Sequence, residues 1–481
     1  MKLLTTLILA FSLALQACAI NPVSGKRDFA IVSEPEEIKQ GRQYHRDIIA
    51  RYGVYDDPRL QQYVDRIGQQ LAAKSHRSHL DFEFTVLDSP EINAFALPGG
   101  YIYITRGIMA YLDSEAELAG VLGHEIGHVT ARHSVRQQSG QAASSILSIL
   151  ITAATGEQSL GDLSQQIGSG LVRGYGREHE LEADRLGAEY LHNSGYDPET
   201  MLEVIGVLKD QEVYEKALAS KEGREAQTYH GVFSTHPRND DRLKTVVRAA
   251  RKLSSQAYRD DNRSAYHDMI DGLVWGPSPK QGIVVDNRFV HPELGFALQL
   301  PADWKVRNNP NSLIARDPAS GAILQIGLVQ RKQDESLPSL LRRLTKNDNL
   351  AVSKTDYGVS AKTRVKPRDG EEQPARLSAI LLQKSQVLTL LGTAATKKYP
   401  AAEKNILAVN RSFTRLSQAQ IDAIEAPRLH IVNRKSHSFA SLSRQSAIDY
   451  DAESILRLLN RAFPSGNINA LDKLKIVTID E

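Results

Sequence analysis

The sequence predicts an α+β multidomain protein: a mainly helical domain with a small sheet, a small α/β accessory domain, and a tail of strand, helix, helix, strand order. Three observations predict it. At 481 residues the chain exceeds one ordinary core and should divide into roughly two to four domains. Apolar residues recur at three- and four-residue spacing through residues 34–253, broken by a β-like stretch at 82–104. A polar run over 252–282 containing Gly276-Pro277-Ser278-Pro279 then separates this region from a strand-rich one.

The chain begins with Lys2 and a largely apolar run over residues 3–15, the length of an export-signal core and too short to span a bilayer. Leu15-Gln16-Ala17-Cys18 resembles the lipobox of bacterial lipoproteins. The resemblance implies that residues 1–17 are a cleaved signal peptide and that Cys18 carries a lipid that holds the protein at a membrane. Ala19 in the next position implies the outer membrane. Cys18 is the only cysteine, so no disulfide forms within the chain. Residues 18–33 read as anchor and linker, and no later stretch reaches the roughly 18 to 20 apolar residues of a membrane-spanning helix. Lys plus Arg number 59 against 57 for Asp plus Glu, and that balance gives no reason to expect nucleic acid.

Within the helical domain, 34–253, Phe82-Glu83-Phe84-Thr85-Val86 alternates as a strand, and Pro98-Gly99-Gly100 joins two further strands. Ser114-Glu-Ala-Glu117 has the form of a capping box opening a helix. That helix carries Val121-Leu-Gly-His124-Glu125-Ile-Gly-His128-Val129. Four residues apart, His124 and His128 leave one helix face about 6 Å apart at Cβ, close enough to share one ion. Glu125 is offset toward a water on that ion, the place of a catalytic base. Buried core histidines are the plain alternative, but an unpartnered Glu125 beside them would cost several kcal/mol.

Catalytic zinc keeps three protein ligands and one open position. Around Arg177-Glu178-His179-Glu180-Leu181-Glu182-Ala183-Asp184, Glu180 shares its stripe with Ala183, Asp184, Gly187 and Leu191, whereas Glu178 and Glu182 fall with Arg185 and Glu189. Glu180 is therefore the expected third ligand to one Zn2+. Asp184 is expected to accept the second N–H of a ligand histidine, with a helix salt bridge as its alternative.

H-E-x-x-H followed some fifty residues later by E-x-x-A-D resembles the gluzincin metallopeptidases of the HtpX and CAAX prenyl protease type, in their periplasmic BepA-like and LoiP-like branch. Asn93-Ala-Phe-Ala-Leu-Pro-Gly-Gly and Ser234-Thr-His236-Pro-Arg238 match the same pattern, so four motifs stand in order over residues 34–250. The resemblance implies a zincin-type domain. It also implies that Asn93, Ala94, Phe95 and Ala96 form a strand whose edge pairs with an extended substrate. His236 is left as a fourth ligand, a substrate contact or an ordinary loop histidine. The implied function is a zinc-dependent endopeptidase acting on unfolded or misassembled cell-envelope proteins in the periplasm. The alternative is a zinc-containing adaptor or chaperone for outer-membrane protein assembly with latent proteolysis. The apolar 142–155 and Gly-rich 156–176, between the ligand segments, suit either a flap or core packing.

Residues 254–283 read as a linker and 284–416 as the accessory domain, with strands at Gly295-Phe-Ala-Leu-Gln-Leu and Ile323-Leu-Gln-Ile-Gly-Leu-Val and a helix over 337–344. Residues 428–481 resemble a LysM module of βααβ order, whose relatives bind peptidoglycan. Ser436-His437-Ser438 stands where such modules carry Gly-Asp-Thr, which leaves glycan binding and a structural role both open. The expected partners are polypeptide substrates, a membrane through the lipid, and peptidoglycan or the outer-membrane assembly machinery.

Overall fold

The computed structural model describes residues 18–139, 176–221, 247–248, 251, 257–285, 287–309, 312–366, 371–434, 438–448 and 450–479. It divides into two units: the described residues up to Trp275 together with Pro427–Ile479, and Gly276–Ala426. Among the described residues no helix is long and apolar enough to cross a membrane.

The first unit opens with a short antiparallel pair, β1 (Cys18–Ile20) and β2 (Arg27–Phe29). Helix α1 (Glu34–Tyr52) follows, then α2 (Pro58–Ala72). Asp57 caps α2 by accepting from the N–H groups of Arg59 and Leu60 at 2.9 and 3.2 Å, with Pro58 in the first turn where its missing N–H costs nothing. Leu60, Val64, Ile67 and Leu71 form the buried stripe of α2 against a three-stranded sheet. In that sheet β3 (Glu83–Leu87) runs parallel to β5 (Tyr101–Thr105), and β4 (Ala94–Leu97) pairs antiparallel to β5 on its other side. The β4–β5 turn needs Gly99 and Gly100, at φ +82 and +102, and a Cβ on Gly99 would stand 2.7 Å from Ile38 Cα.

From β5 the chain enters α3 (Arg106–Tyr111) and α4 (Glu115–Thr130). Ser114 Oγ caps α4 by accepting from Glu117 N–H at 3.1 Å. Glu117 does not close the expected box; its carboxylate accepts from Asp113 N–H at 2.8 Å and pairs with Arg461. Leu118, Leu122 and Ile126 are fully buried, so α4 is the central helix of the unit. Around it stand α5 (Arg177–Asn193), α6 (Thr200–Lys221) and α7 (Arg263–Ile270). Helix α7 lies inside the stretch expected as a linker. Its Tyr266 is fully buried and donates its hydroxyl to Met109 C=O at 2.7 Å, so the first unit extends beyond residue 253. Too few apolar residues punctuate that polar stretch for periodicity to reveal them.

The second unit is built on an all-antiparallel seven-stranded sheet of order β12-β13-β14-β15-β11-β10-β9 and a four-stranded sheet of order β16-β8-β7-β6. The strands are β6 (Ile283–Val285), β7 (Arg288–His291), β8 (Phe296–Gln299), β9 (Lys305–Asn309), β10 (Ser312–Arg316), β11 (Ile323–Gln330), β12 (Val352–Lys354), β13 (Gly358–Val365), β14 (Gln373–Leu381), β15 (Gln386–Thr393) and β16 (Thr414–Arg415). Helices α8 (Leu337–Thr345), α9 (Tyr399–Arg411) and the short α10 (Gln418–Asp422) complete it.

His291 of this unit is buried, stacked on Phe296 with ring centres 5.5 Å apart, and its Nδ1 accepts from Leu294 N–H at 3.4 Å. Burial pushes its pKa down to about 4 from 6.5. An unfolded chain takes up that proton near pH 6.5 and the folded one only near 4, so the stability is present above pH 6.5 and lost as pH falls toward 4. The denaturation midpoint of this unit should fall over that window by up to about 3 kcal/mol of stability relative to His291→Phe. Urea titrations following Trp304 in a Trp275→Phe background measure it; parallel curves for the two proteins would remove His291 as the cause.

The tail, expected as a domain of its own, shares the core of the first unit. Strand β17 (Arg428–Asn433) pairs antiparallel with β18 (Lys473–Thr478), with α11 (Phe439–Ser443) and α12 (Ala452–Leu459) between them. Leu429, Phe439, Leu456, Leu459, Leu474 and Val477 are buried in the same cluster as Leu118 and Leu122 of α4. The joint is also polar. Lys475, buried, donates to the carbonyls of Ala110 and Leu112 and lies 3.5 Å from Asp113, and Arg461 reaches Glu117 and the Glu203 carbonyl. Such a module is too short to bury its own apolar faces well, and α3, α6 and α7 supply what it lacks.

Candidate metal centre

Helices α4 and α5 touch along small residues. A Cβ on Gly127 would stand 2.8 Å from Ala183 C=O, and one on Gly187 would stand 2.9 Å from His124 N. Only glycine at these two positions lets the backbones approach this closely, and the approach lets a short Glu180 side chain reach the histidines of α4.

The two Nε2 atoms of His124 and His128 face each other at 3.0 Å. Glu180 Oε2 lies 3.6 Å from His124 Nε2, and its Oε1 lies 3.5 Å from His128 Nε2. Three ligands around one tetrahedral zinc at about 2.0–2.1 Å would stand about 3.3 Å apart, so these donors have the spacing and the chemistry zinc requires. On the far side of the ring, His124 Nδ1–H donates to Asp184 Oδ1 at 2.9 Å, which directs the Nε2 lone pair toward the other donors. Burial disfavours charge on His124, but its hydrogen bonds to Asp184 and Glu180 prevail and hold its pKa well above the ordinary histidine value. The pocket thus favours positive charge, which a divalent cation supplies. Glu125, adjacent to His124 on α4, is buried at 2% exposure.

Two further residues meet this cluster that the stripe argument did not find. His133, in a helical segment over residues 133–139 just past α4, sets its Nδ1 2.8 Å from His128 Nδ1. Its Nε2 lies 3.1 Å from Glu182 Oε2, and Arg136 donates to the same carboxylate at 2.6 Å. Glu182 was expected on the solvent side with Arg185 and Glu189. The chain beyond α4 turns back over the flank of α5 that bears His179 and Glu182, and His133 stacks on His179 with ring centres 4.4 Å apart. The hydrogen bond from His133 and the guanidinium of Arg136 overcome partial burial and hold Glu182 down to about 2.

Residues 58–250 match the model of peptidase family M48. The chain is 29% identical over 372 residues to the beta-barrel assembly-enhancing protease of Yersinia pestis, covering 70% of this chain and 72% of that one. It is 25% identical over 462 residues to the protein of the same name in Escherichia coli (strain K12), covering 82% and 92%. It is 30% identical over 238 residues to the mitochondrial metalloendopeptidase OMA1 of Schizosaccharomyces pombe, covering 47% and 64%. Over residues 58–250 the chain is similar to peptidase family M48.

It is a zinc-dependent metalloendopeptidase whose substrates are polypeptides. Ala94, Phe95 and Ala96 lie in β4, an edge strand among the described residues, and Asn93 immediately precedes it, buried, with its backbone paired to Thr105. Ala96 and Leu97 share the lining of a small cavity with His128, so this edge lies beside the metal centre. Cys18 starts β1. His236, residues 142–155 and most of the Gly-rich 156–176 lie outside the described residues, as do Ser436 and His437.

Proposed function

We propose that this metallopeptidase acts in the periplasm on unfolded or misassembled cell-envelope proteins, with Glu125 as its catalytic base and a lipid on Cys18 holding it at the outer membrane. The observation that carries the catalytic part is the buried Glu125 beside His124, on the helix whose two imidazoles converge on Glu180. Held there, zinc would supply a Lewis acid for a peptide carbonyl and would bring the pKa of water toward about 7. Glu125 takes the proton from the attacking water and returns it to the leaving amine. His124, His128 and Glu180 hold the metal, and Asp184 keeps His124 in the required tautomer and orientation. The edge of β4, unpaired among the described residues, would offer main-chain hydrogen bonds to an extended segment, which favours polypeptide without stable structure. The lipobox-like segment before Cys18 and the names of the bacterial relatives support the envelope setting. The burial of the tail in the peptidase core favours a structural role for it over peptidoglycan capture.

The test loads the full chain with zinc and offers it an outer-membrane β-barrel polypeptide in unfolded and folded form. Wild type should cleave the unfolded form and spare the folded one. Glu125→Gln should retain about one zinc per chain and lose turnover by about 10²- to 10⁴-fold. Full turnover by Glu125→Gln would remove Glu125 as the base, and equal cleavage of both forms would remove the substrate class.

A further inference from the structure

The two ligand histidines are oriented differently. His124 meets a carboxylate, Asp184, directly through Nδ1. The Nδ1 of His128 instead meets another imidazole, that of His133, which is fully buried. With His128 turned so that Nε2 faces Glu180 and His124, its Nδ1 carries the hydrogen and donates it. His133 Nδ1 must then accept, and its own hydrogen sits on Nε2, pointing at Glu182 Oε2 3.1 Å away. One placement of protons makes both contacts hydrogen bonds, and it is the placement in which His128 Nε2 offers a lone pair. Arg136, 2.6 Å from the same Glu182 oxygen, and Asp28, 3.3 Å from Arg136, continue the chain of charge outward. Stacking on His179 fixes the plane of the His133 ring, so its acceptor cannot turn away.

We propose that His133, held by Glu182, is a positioning residue for the metal ligand His128: an acidic group orients the second imidazole through an intervening imidazole. This rests on the assignment of His124, His128 and Glu180 as the zinc ligands. A histidine so placed fixes the ligand tautomer and raises its basicity, and losing such a partner typically weakens metal binding by about 10- to 100-fold.

Zinc affinity is measured by chelator competition on the full chain, beside the melting temperature of the metal-free protein. His133→Phe keeps a flat buried ring and removes the acceptor; His133→Asn places Oδ1 near the position of Nδ1 and retains it. His133→Phe should bind zinc about 10- to 100-fold more weakly, and His133→Asn should recover most of that loss. Glu182→Gln, a change at a partly buried side chain that also serves if His133→Phe fails to fold, should weaken zinc in the same direction by a smaller factor. Wild-type affinity in His133→Phe, or in Glu182→Gln where that is the folded variant, overturns the proposal. So does equal weakness of the Phe and Asn variants, which would mean packing alone. If His128→Ala binds zinc as tightly as wild type, the ligand assignment itself has failed, which is a different result.

Discussion

Deletion of residues 427–481 is expected to abolish the folded peptidase unit. Six apolar side chains of this segment, Leu429, Phe439, Leu456, Leu459, Leu474 and Val477, are at 0–2% exposure in the cluster that contains the helix of His124 and His128. Each contributes about 1.5–3 kcal/mol on burial, and their removal also strips the surfaces they cover on α3, α6 and α7. The sum rivals the whole stability of an ordinary domain, about 5–15 kcal/mol. The same deletion removes Arg461 from Glu117, which lies in the first turn of α4, and Lys475 from the carbonyls of Ala110 and Leu112. Circular dichroism of residues 18–426 should show a loss of cooperative melting for the peptidase unit, and zinc binding should go with it. A truncated chain that melts cooperatively and holds zinc as the full chain does would show that the tail only rests on the fold.

Glu37→Ala should destabilise the peptidase unit by about 3–5 kcal/mol, the usual cost of removing one partner from a buried ion pair. Glu37 sits at 1% exposure between two guanidinium groups. Its Oε1 accepts from Arg77 Nη1 at 2.8 Å, and its Oε2 accepts from Arg132 Nε at 2.9 Å and from Arg77 Nη2 at 3.2 Å. Arg77 also donates to Val129 C=O at 2.9 Å, one residue past the ligand His128, and Gly99 N–H points at Glu37 from the end of β4 at 3.4 Å. One carboxylate therefore ties α1, the turn after β4 and the end of α4 together. Without it, Arg77 at 0% exposure keeps its charge with only Glu34 and a carbonyl to meet it. Urea denaturation of zinc-loaded protein measures the loss. A change below about 1 kcal/mol would mean that water or a shifted Glu34 replaces the carboxylate.

The metal site was legible in the sequence to the extent that its geometry is local. His124 and His128 need only a helix to share a face, and Ser114 ahead of Glu117 marked where that helix begins. Glu180 could be chosen over Glu178 and Glu182 because Ala183 and Gly187 made one stripe narrow enough to lie against another helix, and the close contacts at Gly127 and Gly187 show why that stripe had to be small. Periodicity reports what lies within a few turns and no further. The partners it missed are remote: His133 and Glu182 are 49 residues apart, Glu37 and Arg132 are 95, and Glu117 and Arg461 are 344. Each is a polar group that would look solvated in its own segment. It is buried or partly buried only because the chain returns to cover it, and a charge excluded from water must find its counter-charge wherever the fold brings one. The sequence by itself marked His124, His128 and Glu180 as one candidate donor set, Glu125 beside them, and the secondary structure that carries them. Tertiary structure alone decided which residues orient those donors, and that the last fifty residues belong to the peptidase core, because both depend on contacts that form only when distant segments are packed together.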